Sequence, residues 1–171
     1  ERNYHIFYEL LSGLSQLQRQ ELRIDNDTAR DFRMTACSGT FDRRDGVDDR
    51  ETYQDLLKAL DTVGFSQTEQ KDLFSVVCAL LHISNITFKV ASGDGSEISH
   101  SESLVDALEL LGVPQEALNN ALCLCAIQAR GETFHKNMSV AQANKALEAL
   151  IKATYGALFT HIVKKVDKSI T

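Results

Sequence analysis

The sequence lacks the short motifs that usually carry chemistry. It has no Gly-x-x-x-x-Gly-Lys-Ser/Thr run and no Gly-x-Gly-x-x-Gly following a strand, so neither phosphate-cradling turn is present. No Ser or Cys sits in a glycine-flanked elbow, and His5, His82, His100, His135 and His161 form no His-x-x-x-His pair. Gly93-Asp-Gly95 resembles part of a calcium loop, but the other carboxylates are missing at the required spacing. Positive charge is in deficit: Lys and Arg number 18 against 24 Asp and Glu, a net charge of -6. That balance excludes a generally basic, nucleic-acid-binding surface. No apolar run approaches the roughly 18 residues that would span a bilayer, and no signal peptide opens the chain.

Of the four cysteines, Cys78, Cys123 and Cys125 fall in apolar helical patterns and Cys37 in a polar stretch. This is the usage of a reducing compartment, where a buried thiol behaves as a small hydrophobe. Cys123-x-Cys125 is too short for a zinc knuckle and has no second Cys/His pair. The sequence has no initiator Met and opens in residues that already read as helix, so a piece of a larger protein is expected.

What is present is helical periodicity over about one domain's length. Val140, Ala143, Leu147, Leu150, Ile151, Tyr155, Leu158, Phe159, Ile162, Val163, Val166 and Ile170 recur at intervals of three and four. Ser139 and Gln142 form a capping box in front of them. The spacing predicts one helix of about 30 residues, roughly 45 Å long. Ahead of it, Ala126 to Asn137 reads as a short polar loop with Glu132 at an acidic tip.

The rest of the chain predicts further helices. One carries Tyr4, Phe7, Tyr8 and Leu11, closes at Gly13, and leaves an apolar patch expected to self-associate. A weaker one is anchored by Leu14, Leu17 and Leu22. Asp25 to Asp49 reads as a long surface loop, with Asp49 capping a helix that carries Tyr53, Leu56, Leu57, Leu60 and Val63. Ser66 and Glu69 box the next helix, which is apolar nearly all round and therefore central. His82 closes it in a packing or capping role. Ile86 to Val90 alternates as a short strand, and Ala91 to Ser96 is a loop tip. Ser99 is expected to cap a helix through Leu104 and Leu111, and Pro114 to begin another with Leu118, Ala121, Leu122 and Cys125 inward. The fold class is mainly α, a single-domain irregular or orthogonal multi-helix bundle with minor short β elements and long surface loops.

These segments, in this order, resemble the upper 50-kDa subdomain of the myosin motor domain. Glu1-Arg-Asn-Tyr-His-Ile-Phe-Tyr-Glu-Leu-Leu-Ser-Gly13 is similar to the family's ERNFHIFYQLLAG helix. Phe74 to Phe88 is similar to its F..LaaiLHLGNi.F segment, and Leu110-Leu-Gly-Val113 matches LLGV. Ala149-Leu-Ile-Lys152, with Tyr155 and Leu158-Phe159, resembles the DALAK..Y..LF helix that precedes switch II; Glu148 and Ile151 depart from that pattern.

The resemblance implies a fragment of a P-loop NTPase-type, actin-based, ATP-driven motor in the cytoplasm and on the cytoskeleton. It implies that ATP and Mg belong to the parent motor and that no cofactor is held here. Partners are expected to be the actin filament and the remaining motor, with no nucleic acid and no membrane. The fragment alone is not expected to hydrolyse ATP, the P-loop and both switches lying outside it. The resemblance further implies an actin-contacting loop comprising Arg130, Gly131, Glu132, Thr133, Phe134, His135 and Lys136. Glu132 stands sixteen residues before Glu148, where relatives carry an acidic or phosphorylatable residue. Ser92, Gly93, Asp94, Gly95 and Ser96 are implied to form loop 4, a second contact. On spacing alone Glu132 is an ordinary charged turn residue, and a stand-alone helical adaptor without ATPase activity is the alternative reading.

Overall fold

The computed structural model describes residues 1–129 and 132–170 of the chain. Among the described residues eight α-helices run in the order α1 (His5–Gly13), α2 (Gln16–Glu21), α3 (Arg33–Ala36), α4 (Asp49–Val63), α5 (Gln67–Ser84), α6 (Glu102–Leu111), α7 (Gln115–Cys123) and α8 (Val140–Ile170). Two antiparallel hairpins interrupt them: β1 (Phe88–Val90) with β2 (Ser96–Ile98), and β3 (Leu124–Ala129) with β4 (Glu132–Asn137). The mainly helical expectation holds, with more β structure than the one or two minor elements anticipated.

Helix α5 is the centre, as its all-round apolar sequence predicts. Every residue from Val77 to Ser84 is buried, and α1, α3, α6 and α8 pack around it. Each fully buried Leu, Ile or Val there contributes about 1.5–3 kcal/mol relative to exposure. Its start is fixed by the expected box, Ser66 accepting from the Glu69 amide and Glu69 accepting from the Ser66 amide. Burial pushes the Cys78 thiol up to about 12, so it stays a protonated packing group.

Several boundaries differ from expectation for local reasons. Asp48, not Asp49, caps α4, its carboxylate accepting from the Arg50 amide. Asp49 instead takes both terminal nitrogens of buried Arg2, at 2.6 and 2.7 Å. That bidentate pair binds the entry of α1 to the first turn of α4 across the intervening segment. The segment from Asp25 to Asp49 is not wholly a surface loop: it contains α3, and Phe32 and Thr35 are buried. Ser101 rather than Ser99 caps α6, and Pro114 is the N-cap of α7 rather than its first residue. Leu17, Ala121 and Cys125, expected to face inward, are exposed. The Tyr4 patch is also smaller than expected, because Phe7 and Tyr8 are buried and Tyr4 stacks on Tyr155 with ring centroids 4.4 Å apart.

Gly13 does not end α1 by a left-handed turn. It is the last helical residue, and its missing side chain admits the Tyr53 ring: a Cβ there would lie 2.2 Å from Tyr53 Cδ1. The Tyr53 hydroxyl is buried and has no hydrogen-bond partner among the described residues. Two opposite outcomes follow for neighbouring substitutions. Tyr53→Phe is expected to raise stability by about 1 kcal/mol by removing a desolvated donor. Gly13→Ala is expected to lower it by about 3 kcal/mol through overpacking. Urea unfolding of the purified chain measures both, and a Tyr53→Phe protein less stable than the parent would contradict the orphaned hydroxyl.

Candidate functional site

The described residues of Ala126 to Asn137 are not loop: they belong to two antiparallel paired strands, β3 and β4. The ladder pairs Leu124 with Asn137, Cys125 with Lys136, Ala126 with His135, Ile127 with Phe134, Gln128 with Thr133 and Ala129 with Glu132. Its signal was the alternation Cys125, Ile127 and Phe134, Lys136, hidden by the helix-like run that precedes it. Glu132, Thr133, Phe134, His135 and Lys136 all lie in β4, which is exposed along its whole length. Arg130 and Gly131 lie outside the described residues.

Opposite residues of a ladder share a face, and side chains alternate along each strand. One face of the hairpin therefore carries Glu132, Phe134 and Lys136 from β4 with Cys125 and Ile127 from β3. At its centre Ile127 and Phe134 stand directly opposite one another, 43% and 53% exposed. The hairpin thus presents a solvent-facing aliphatic–aromatic pair flanked by an acid and a base. Ile127 lies within the Ala126–Asn137 stretch but not among the residues named for the contact, and the register is what places it opposite Phe134.

The second stretch, Ser92 to Ser96, divides in two. Ser92–Asp94 form an exposed 3₁₀ turn between β1 and β2, with Gly93 at φ 68° and Asp94 at φ 58°. Gly95 and Ser96 are buried, and Ser96 is the first residue of β2. Only Ser92, Gly93 and Asp94 are therefore presented outward.

Behind both hairpins α8 begins at the expected box. The Gln142 amide donates to Ser139 Oγ, and the Ser139 amide to Gln142 Oε1. The helix is 31 residues long, matching the predicted length. Its apolar stripe is well covered only near the start, at Ala143 and Leu147; Phe159 is 62% exposed and Ile170 80%. Lys165 is tied to Glu69 of α5 and sits 4.3 Å over the Phe65 ring. The Lys165 hydrogen bond, helped by Ser66, holds the Glu69 carboxyl well below its ordinary value.

No three His, Cys, Asp or Glu side chains among the described residues converge to hold a cation, and the sequence has no phosphate-cradling turn. None of the described helices is long and apolar enough to cross a membrane.

What the fold and this surface define is a helical framework presenting an exposed hairpin. A family model described as myosin head (motor domain) matches residues 1–171. The chain belongs to the myosin head family. It is 34% identical over 174 residues to unconventional myosin-Ib of Homo sapiens, a match covering 99% of this chain and 15% of the relative. It is 38% identical over 173 residues to myosin-1 of Sclerotinia sclerotiorum, covering 100% of this chain and 14% of the relative. Myosin ID heavy chain of Dictyostelium discoideum is 35% identical over 179 residues, 99% and 16% being covered. The chain thus spans only about a seventh of the relatives it matches.

His82 occupies the packing position expected of it. Its Nε2 lies 2.8 Å from the Arg23 carbonyl, its ring meets Phe32 edge-on, and Nδ1 is 3.9 Å from Asp106 Oδ2. Burial lowers its pKa below the ordinary imidazole value, against the opposing pull of Asp106, the Arg23 carbonyl and Asp27. Burial likewise raises the carboxyls of Asp27 and Asp106. The imidazole sets the sign near neutrality: below about pH 6.5 the unfolded chain takes a proton that the folded His82 resists. Stability is therefore fully present above that pH and is lost as pH falls toward the folded value. Denaturant midpoints between pH 7.5 and 5.5 should fall with acid, and less steeply in His82→Gln. Equal slopes in the two proteins would exclude His82 as the cause.

Proposed function

We propose that this chain is the upper 50-kDa segment of an actin-based, ATP-driven motor and that the β3–β4 hairpin is one of its filament contacts. The observation that carries this reading is the exposed Ile127–Phe134 pair beside Glu132, on a chain of the myosin head family. ATP and Mg act elsewhere in the parent motor, an actin-activated ATPase, and the segment alone does not turn over nucleotide. The parent works on the cytoskeleton, and its partners are the filament and the remainder of the head. The exposed Ser92–Asp94 turn supplies a second, smaller contact of the loop 4 type. Helix α8 leads from the hairpin toward switch II.

Magnitudes decide what each hairpin residue does. An exposed charge such as Glu132 contributes about 0–1 kcal/mol to a contact, and acts mainly by steering toward basic groups and fixing register. Burying the Phe134 ring against a complementary apolar surface is worth about 1.5–3 kcal/mol. The Ile127–Phe134 pair is therefore the anchor and the acid the guide. A fixed carboxylate at position 132 also makes phosphorylation unnecessary there.

In the intact motor, Phe134→Ala should raise the actin concentration for half-maximal ATPase about tenfold or more, the equivalent of about 1.4 kcal/mol per decade. Glu132→Ala should raise it only about two- to fivefold, an effect that fades with added salt. Actin dependence unchanged in both variants would overturn the assignment.

A further inference from the structure

The two stretches read as separate filament contacts share one root. Ser96 is buried, and its Oγ donates to the Met138 carbonyl at 2.8 Å. The Met138 amide donates in turn to the Cys123 carbonyl, also at 2.8 Å. The two peptide units flanking Met138 are thus held from different sides, one by β2 and the other by the end of α7. Gly95 completes the joint: a Cβ on it would lie 3.0 Å from Asn137 Cβ, so the entry to β2 abuts the last residue of β4. Met138 is followed at once by the box that starts α8.

Because β4 is exposed from end to end, its direction is set where it joins the body. We infer that Ser96 and Gly95 are positioning residues: they set the angle at which the β3–β4 hairpin is presented and make the Ser92–Asp94 turn and the hairpin one mechanical unit. This rests on the hairpin being the filament contact. A rigid unit meets a filament with its orientation already fixed, which removes an ordering cost that two independent loops would each carry. Ser96 touches no partner in this scheme and acts entirely through the Met138 carbonyl. Adding a Cβ at residue 95 shifts the same joint by forcing Asn137 aside.

A double-mutant cycle in the intact motor tests this. Ser96→Ala should weaken filament affinity about threefold in the parent background, and by much less when Phe134→Ala is already present. In the filament-free motor, the same substitution should speed amide hydrogen exchange across Glu132–Asn137 while leaving α6 unchanged. Exchange across β4 as slow as in the parent overturns the joint. So do losses from Ser96→Ala and Phe134→Ala that simply add, since two independent contacts would behave in that way. If Phe134→Ala has no effect on affinity, the hairpin reading itself fails. The exchange experiment then still decides whether Ser96 sets the strand.

Discussion

Burying α5 on every side from Val77 to Ser84 dictates how the other helices must lie. A helix without a solvent face needs neighbours all round, and here α1, α3, α6 and α8 supply them. Polar groups that enter this centre must be matched or carry a cost. His82 finds the Arg23 carbonyl, Gln70 donates to the Phe65 carbonyl at 3.0 Å and to Asp61 at 2.7 Å, and Ser84 donates to the Leu81 carbonyl at 2.7 Å. His82 Nδ1 and the Tyr53 hydroxyl are left over, the latter wedged where Gly13 allows α1 and α4 to close.

The candidate contact lies away from that centre, and the frame reaches it through a few defined joints. The Arg2–Asp49 pair fixes α1 against α4. The Lys165–Glu69 pair fixes the far half of α8 against the start of α5. At the near end of α8, Met138 is gripped by Ser96 and Cys123. Between these points the surface of α8 is only partly covered, with Phe159 and Val163 facing outward. The helix is held at both ends, and the hairpin springs from the end where the two β elements meet.

Much of this frame was legible in the residues. Periodicity located the long helices, and the Ser66–Glu69 and Ser139–Gln142 boxes located their starts, because capping is a local interaction between residues three apart. What escaped was set by distant partners. Which of two adjacent aspartates caps α4 depends on Arg2, far away in sequence. The strands β3 and β4 escaped because each six-residue alternation is short and adjoins a helical run; only their pairing with each other makes them a ladder. Glu132 was found through a family spacing, and its neighbour Phe134 came with the same stretch. Ile127 acquires meaning only from the register that places it opposite Phe134. The role of Gly95 and Ser96 was likewise invisible in a segment that reads as plain loop.

The face of the hairpin that meets the filament carries its own reporter. Cys125 is exposed and shares the face of Ile127 and Phe134, while Cys37 is exposed elsewhere on the fold and Cys78 and Cys123 are buried. The direct measurement is the rate of thiol alkylation at Cys125 in the intact, nucleotide-free motor, with and without saturating actin filaments and with Cys37 as the internal reference. Filaments should slow modification of Cys125 severalfold while leaving Cys37 unchanged. Equal rates at Cys125 in the two conditions would contradict the contact.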